Sequence, residues 1–109
     1  MTRELTGSFS CSFVISHYVL QTWCVARTGL LESALQPALD YACGIPGANC
    51  SAIQQMGTCY NPNSLQHHAS YAFNNYYHKD PSPSNCDFGG TAMIVHKDPS
   101  KTQLCSSTS

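Results

Sequence analysis

Apolar and polar positions change period several times along the chain, and each change marks an element. Trp23-Cys24-Val25-Ala26 reads as a short strand. Leu31, Leu35, Leu39 and Ala42 then recur at i, i+4, i+8 and i+11, the apolar stripe of one helical face, with Thr28 as a candidate cap. Pro37 lies inside that stripe, where it has no N–H to offer the carbonyl of Ser33. The pattern therefore predicts either a helix that starts near Ser33, with Pro37 in its first turn, or a helix kinked at Pro37. Gly44 is the expected stop. Residues 44–60 carry Gly44, Pro46, Gly47 and Gly57 and read as loop. A second helix is expected from Asn61 as N-cap and Pro62 at the first helical position. Leu65, Ala69, Ala72, Phe73 and Tyr76 share its face out to about Lys79, and Asp80-Pro81-Ser82-Pro83 ends it. Asp87-Phe88-Gly89-Gly90 turns into a strand over Thr91–Val95, and Asp98-Pro99-Ser100 makes a further turn. Two helices, two or three short strands and much coil give an α+β fold.

Composition narrows what such a fold does. A chain of 109 residues makes one small domain with a marginal core. Seven cysteines in that length point to a disulfide framework formed in an oxidising compartment, since the paired C-x2-C knuckles of a zinc domain are absent. Charged residues make up 10 %, and the net charge is −1 with five scattered Lys and Arg. A nucleic-acid partner requires a basic patch, which this chain lacks. Amides, hydroxyls and six tyrosines suit a neutral, hydroxyl-rich ligand.

The chain divides into a leader (1–21), a module (22–105) and a Ser-rich tail (106–109). Phe9–Leu20 is too short to span a bilayer. It reads either as a signal-peptide core behind Arg3 or as a loose, divergent leader, because Glu4 offsets the charge and no small-residue cleavage site follows. The tail carries no hydrophobic lipid-anchor signal.

Five strings are more specific than composition: Trp23-Cys24-Val25-Ala26, Leu39-Asp40-Tyr41-Ala42-Cys43-Gly44, Cys59-Tyr60-Asn61-Pro62-Asn63, His68 through Tyr77, and Cys86-Asp87-Phe88-Gly89-Gly90-Thr91-Ala92. In this order and spacing they resemble the plant callose-binding module, carbohydrate-binding module family forty-three or X-eight domain, over roughly residues 22–105. Leu30-Leu31 departs from the small or capping residues that the family often carries there. The resemblance implies two packed helices, a small antiparallel sheet, long coils and three disulfides, Cys24–Cys86, Cys43–Cys50 and Cys59–Cys105, with Cys11 outside the pattern. By loop-closure entropy the first should contribute roughly 4 kcal/mol and the second roughly 2.5 kcal/mol. The resemblance also implies non-catalytic binding of β-1,3-glucan (callose) in the cell wall or at plasmodesmata, alone or beside a β-1,3-glucanase. A secreted, disulfide-rich module that binds another protein is the alternative.

Candidate ligand residues follow from helical geometry. Stepping ~100° per residue puts Leu65, Ala69, Ala72 and Tyr76 inward, Tyr71 with His67, Asn74 and His78 outward, Asn75 beside them, and Tyr77 on the flank. Tyr71 and Tyr77 are thus candidate sugar-stacking rings, with Tyr60 at the loop-to-helix junction a third, and Asn75 and, at the glycine turn, Asp87 are candidate hydrogen-bonding partners. Tyr76, Trp23 and Phe88 are expected in the core, and Asn61 is expected to be taken up as a cap. His67 and His68 diverge by about 100° on the helix and form no metal pair; no metal or other cofactor is expected. Asn49-Cys50-Ser51 is formally a glycosylation sequon. The carboxylates Glu32, Asp40, Asp80, Asp87 and Asp98 suggest no pair of the kind a glycosidase places across the scissile bond, so no enzyme is expected.

Overall fold

A computed structural model describes residues 21–44, 46–99 and 105. Strand β1 is Trp23–Ala26, helix α1 is Glu32–Ala42, helix α2 is Leu65–Lys79 and strand β2 is Ala92–Val95, with single 3-10 turns at Ser51–Ile53 and Pro83–Asn85. The strands pair antiparallel, Trp23 opposite Val95 and Ala26 opposite Ala92. Helix α2 packs on both β1 and α1. The core between them holds Leu35, Leu39, Ile53, Ala69, Ala72 and, fully buried, Phe73. The α+β expectation with three disulfides holds: Cys24–Cys86, Cys43–Cys50 and Cys59–Cys105 are bonded, with Cα atoms 5.7, 5.8 and 5.5 Å apart. Residues 1–20 of the leader, Cys11 among them, and the Ser-rich tail lie outside the described residues.

Both helix starts differ from expectation. Helix α1 begins at Glu32, so Pro37 sits in its second turn, and the residue before the helix is Leu31, which offers no side-chain cap. The helix survives this because Leu35, Ala38, Leu39 and Ala42 are buried along one side, and packing outweighs the missing bond. Helix α2 begins three residues later than Pro62. Ser64, as good a cap as Asn61, accepts the His67 N–H through its hydroxyl at 3.2 Å.

The side of α2 that faces inward also differs. Its buried arc contains Ala69, Ser70, Ala72, Phe73 and Tyr77, centred on Phe73 and turned about 70° from the arc that Leu65, Ala69, Ala72 and Tyr76 would define. The cause is the outer edge of β1, whose backbone groups have no second strand to pair with. Helix α2 supplies partners from every fourth residue. Gln66 Nε2 donates to the Ala26 carbonyl at 2.8 Å, and Ser70 Oγ accepts from the Ala26 N–H at 2.9 Å. Asn74 Oδ1 accepts from the Cys24 N–H at 3.0 Å, and His78 Nε2 donates to the Thr22 carbonyl at 3.0 Å. Four helical residues advance ~6.0 Å and two strand residues ~6.6–6.8 Å, so the two repeats stay in step over this length. Among the described residues no buried side-chain polar atom lacks a partner.

Ser70 is 0 % exposed, so Ser70→Ala strands the Ala26 N–H in the interior. The expected cost is ~1–3 kcal/mol, the desolvation penalty of an unpaired buried donor, read as a lower midpoint in urea or thermal unfolding.

Candidate functional site

A groove of about 640 Å³ opens between the outer side of α1, Tyr76 on α2, and the loop 84–91. Its α1 wall is Ala34, Pro37, Ala38 and Tyr41, the side adjoining the buried Leu35, Leu39 and Ala42, with the buried Ala38 at the edge between the two. Its other wall comes from the Asp87–Gly90 turn. Phe88, Gly89 and Gly90 all have positive φ, 48°, 71° and 84°, a run of left-handed backbone that glycine takes without strain and phenylalanine does not. The Asp87 carbonyl holds the turn by accepting the N–H groups of Gly90 (2.9 Å) and Thr91 (3.1 Å). The Phe88 ring is fixed by stacking on the buried Phe73, with centroids 4.2 Å apart and planes 7° from parallel.

Three rings meet in this groove. Tyr76 meets Phe88 edge-on at 5.2 Å and 77°, and Tyr41 lies 6.1 Å from Tyr76 at 39° and 6.2 Å from Phe88 at 67°. Tyr41 is 65 % exposed. Hydrogen bonding to the Tyr41 phenol, then burial, then repulsion from a Tyr41 phenolate raise the Tyr76 pKa above its ordinary value. The remaining lining is polar and nearly uncharged: Ser84, Asn85 and Thr91, with Asp87 the sole carboxylate among the described lining residues. Flat faces flanked by amide, hydroxyl and carboxylate groups are the equipment for holding a polyhydroxylated ring.

Of the candidates read from the sequence, Asp87 lines the groove, while Tyr60, Tyr71, Tyr77 and Asn75 do not. Tyr77 is buried, not on the flank, with its hydroxyl 2.6 Å from Thr22 Oγ1, because the rotation of α2 carries it inward. Tyr71 is half-buried against the core, and burial raises its phenol pKa. Tyr60 lies 5.3 Å from the His68 ring, whose Nε2 donates to the Tyr60 carbonyl at 2.7 Å. Asn75 Oδ1 accepts from the Asn49 N–H at 2.8 Å and ties the loop after α1 to α2. Tyr76, expected in the core, is half-exposed at the groove. Tyr41 was not among the candidates. The signal for it was an aromatic residue off the apolar stripe of α1, between Leu39 and Ala42. Among the described residues no cluster of three or more His, Cys, Asp or Glu is gathered to hold a metal ion.

Comparison with known families matches the X8 domain over residues 22–93. The chain belongs to the X8 domain family. Relatives of this X8 module include glucan endo-1,3-beta-glucosidase 1 of Arabidopsis thaliana, 48 % identical over 85 % of this chain and 18 % of that protein. Plasmodesmata callose-binding protein 2 of the same plant is 40 % identical over 84 % of this chain and 47 % of its own length. Major pollen allergen Ole e 10 of Olea europaea is 43 % identical over 72 % of this chain and 64 % of its own length. The X8 module thus spans from about a fifth to under half the length of the first two curated relatives. No solved structure matches it significantly.

The raised tyrosines give the module an alkaline limit. Folding holds Tyr71 and Tyr76 above the ~10 at which an unfolded tyrosine ionises, so the unfolded chain releases these protons first. Their contribution is complete below pH ~10 and is lost as the pH rises through their folded values. Thermal unfolding followed from neutral pH to beyond ~10 should show the midpoint fall in that upper range, with a shallower fall in Tyr71→Phe.

Proposed function

We propose that this X8 module binds β-1,3-glucan of the callose type in the groove between α1 and the Asp87–Gly90 turn, and that it does so without catalysis. The observation that carries the reading is the trio Tyr41, Tyr76 and Phe88 beside a nearly uncharged polar rim. Tyr41 and Tyr76 offer faces for stacking, Phe88 braces Tyr76, and Asp87 with Asn85 accepts and donates hydrogen bonds to sugar hydroxyls. The rings are turned 39–77° against one another and do not form one plane. Such a lining suits a chain that bends from residue to residue, as 1,3-linked glucan does, better than the flat ribbon of 1,4-linked cellulose. Relatives named for callose binding and for cleavage of 1,3-β-glucan share this module, and the glucosidase shares it over only 18 % of its length. Hydrolysis needs a second carboxyl group across the scissile bond, and Asp87 has no carboxylate partner among the described groove residues. Three disulfides fit an oxidising location, the cell wall or plasmodesmata, where a β-1,3-glucanase is a fitting associate. Among the described residues no helix is long and apolar enough to cross a membrane.

Sedimentation with insoluble β-1,3-glucan, with cellulose as control, tests the reading. Tyr41→Ala should weaken glucan binding by roughly 0.5–1.5 kcal/mol, on the scale of aromatic pairs. It should leave thermal stability within ~0.5 kcal/mol of the parent, as surface substitutions do. Loss of binding in Tyr60→Ala with Tyr41→Ala unaffected would move the site to the loop before α2. Absence of glucan binding in the parent would favour a protein partner instead.

Incubation with soluble β-1,3-glucan should release no new reducing ends. Sustained release by pure protein, abolished by Asp87→Asn, would make the module an enzyme.

A further inference from the structure

The Asn49-Cys50-Ser51 sequon is not used by the groove, and its geometry in the folded chain is informative. Asn49 is exposed, while the adjacent Cys50 is buried and bonded to Cys43. The Asn49 backbone N–H donates to Asn75 Oδ1, and Asn49 Oδ1 accepts from both the Ser51 N–H (3.2 Å) and the Ser51 hydroxyl (2.9 Å). These described bonds use the backbone and Oδ1 and leave the amide nitrogen Nδ2 out. A sugar attached at Nδ2 would keep all three bonds and project from an exposed side chain. The fold therefore tolerates the product of glycosylation.

It does not favour the reaction itself once formed. A glycosyltransferase must draw the sequon into its own site as an accessible strand, and here the segment is held by the short Cys43–Cys50 loop. The tightness of that loop is visible at Gly47, where a Cβ would collide with the carbonyl oxygens of Ala42 and Gly44. Transfer must precede closure.

We propose that Asn49 is an N-glycan acceptor whose occupancy is set by a race between sugar transfer and formation of the Cys43–Cys50 disulfide. The donor is a lipid-pyrophosphate-linked oligosaccharide. The bond between Nδ2 and the sugar C1 forms, the bond from C1 to the pyrophosphate oxygen breaks, and the lipid pyrophosphate leaves with that electron pair. The Nδ2 proton passes to a base of the transferase. The three disulfides fit an oxidising compartment, the kind of environment in which both competing reactions run. The proposal does not rest on the glucan-binding reading.

The test is expression of the full chain behind a cleavable secretory leader in plant cells, with total protein, secreted and retained, digested and mapped by mass spectrometry. Enzymatic deglycosylation in heavy-oxygen water then marks any residue that carried a glycan. The expected result is partial occupancy at Asn49 in the parent, loss of the glycan in Ser51→Ala, and higher occupancy in Cys43→Ser/Cys50→Ser. Because retained protein is counted, a variant that fails to fold still reports its occupancy. An unmodified Asn49 in the parent would overturn the acceptor assignment, and equal occupancy with and without the cysteine pair would overturn the race.

Discussion

A four-residue strand whose outer edge must be satisfied by a helix is the constraint on which the rest of this module depends. Strand β1 has one partner strand, β2, and its other edge would otherwise bury unpaired N–H groups at Cys24 and Ala26. Gln66, Ser70, Asn74 and His78 close that edge from one side of α2. The match of a four-residue helical step to a two-residue strand step makes the arrangement possible, and also limits it to a short strand. Once α2 is held in this rotation, Phe73 points into the centre of the core and Tyr77 inward toward Thr22, while Tyr76 is left at the margin.

The groove is a consequence of that margin. Phe73 provides the surface on which Phe88 stacks, and Phe88 in turn braces Tyr76. Covalent links fix both walls: Cys86, bonded to Cys24 of β1, immediately precedes Asp87, and Cys43, bonded to Cys50, follows Tyr41 by two residues. Ring contacts hold Phe88 and Tyr76, so a ligand seated there would remove little further side-chain freedom from them. The left-handed Phe88 is the strained member of this arrangement, and two glycines after it absorb the turn that its position demands.

The fold class was legible in the sequence because it rests on strong, local signals. The strand at Trp23–Ala26, the stripe of Leu35 and Leu39, and the cysteine pattern carried by the family resemblance all agree with the structure. The site was less legible. Hydrophobic periodicity assumes that a helix buries its most apolar side, whereas α2 buries Ser70 and turns Asn74 toward β1. Polar residues recruited to pair a strand edge look like surface residues until the strand is placed beside them. That single misreading exchanges Tyr76 with Tyr77. Tyr41 was hidden for another reason: its surroundings come from residues 76 and 84–91, far along the chain, and periodicity within α1 does not report them.

The helix that takes the place of a third strand also governs how the module behaves among copies of itself. Exposed strand edges act as templates on which other chains add strands and grow into aggregates. The outer edge of β1 is closed by side chains of α2, so it offers no row of free backbone groups to a neighbour. A sheet protected on that side can be crowded on a polymer surface or carried within a longer polypeptide with less risk of edge-to-edge association.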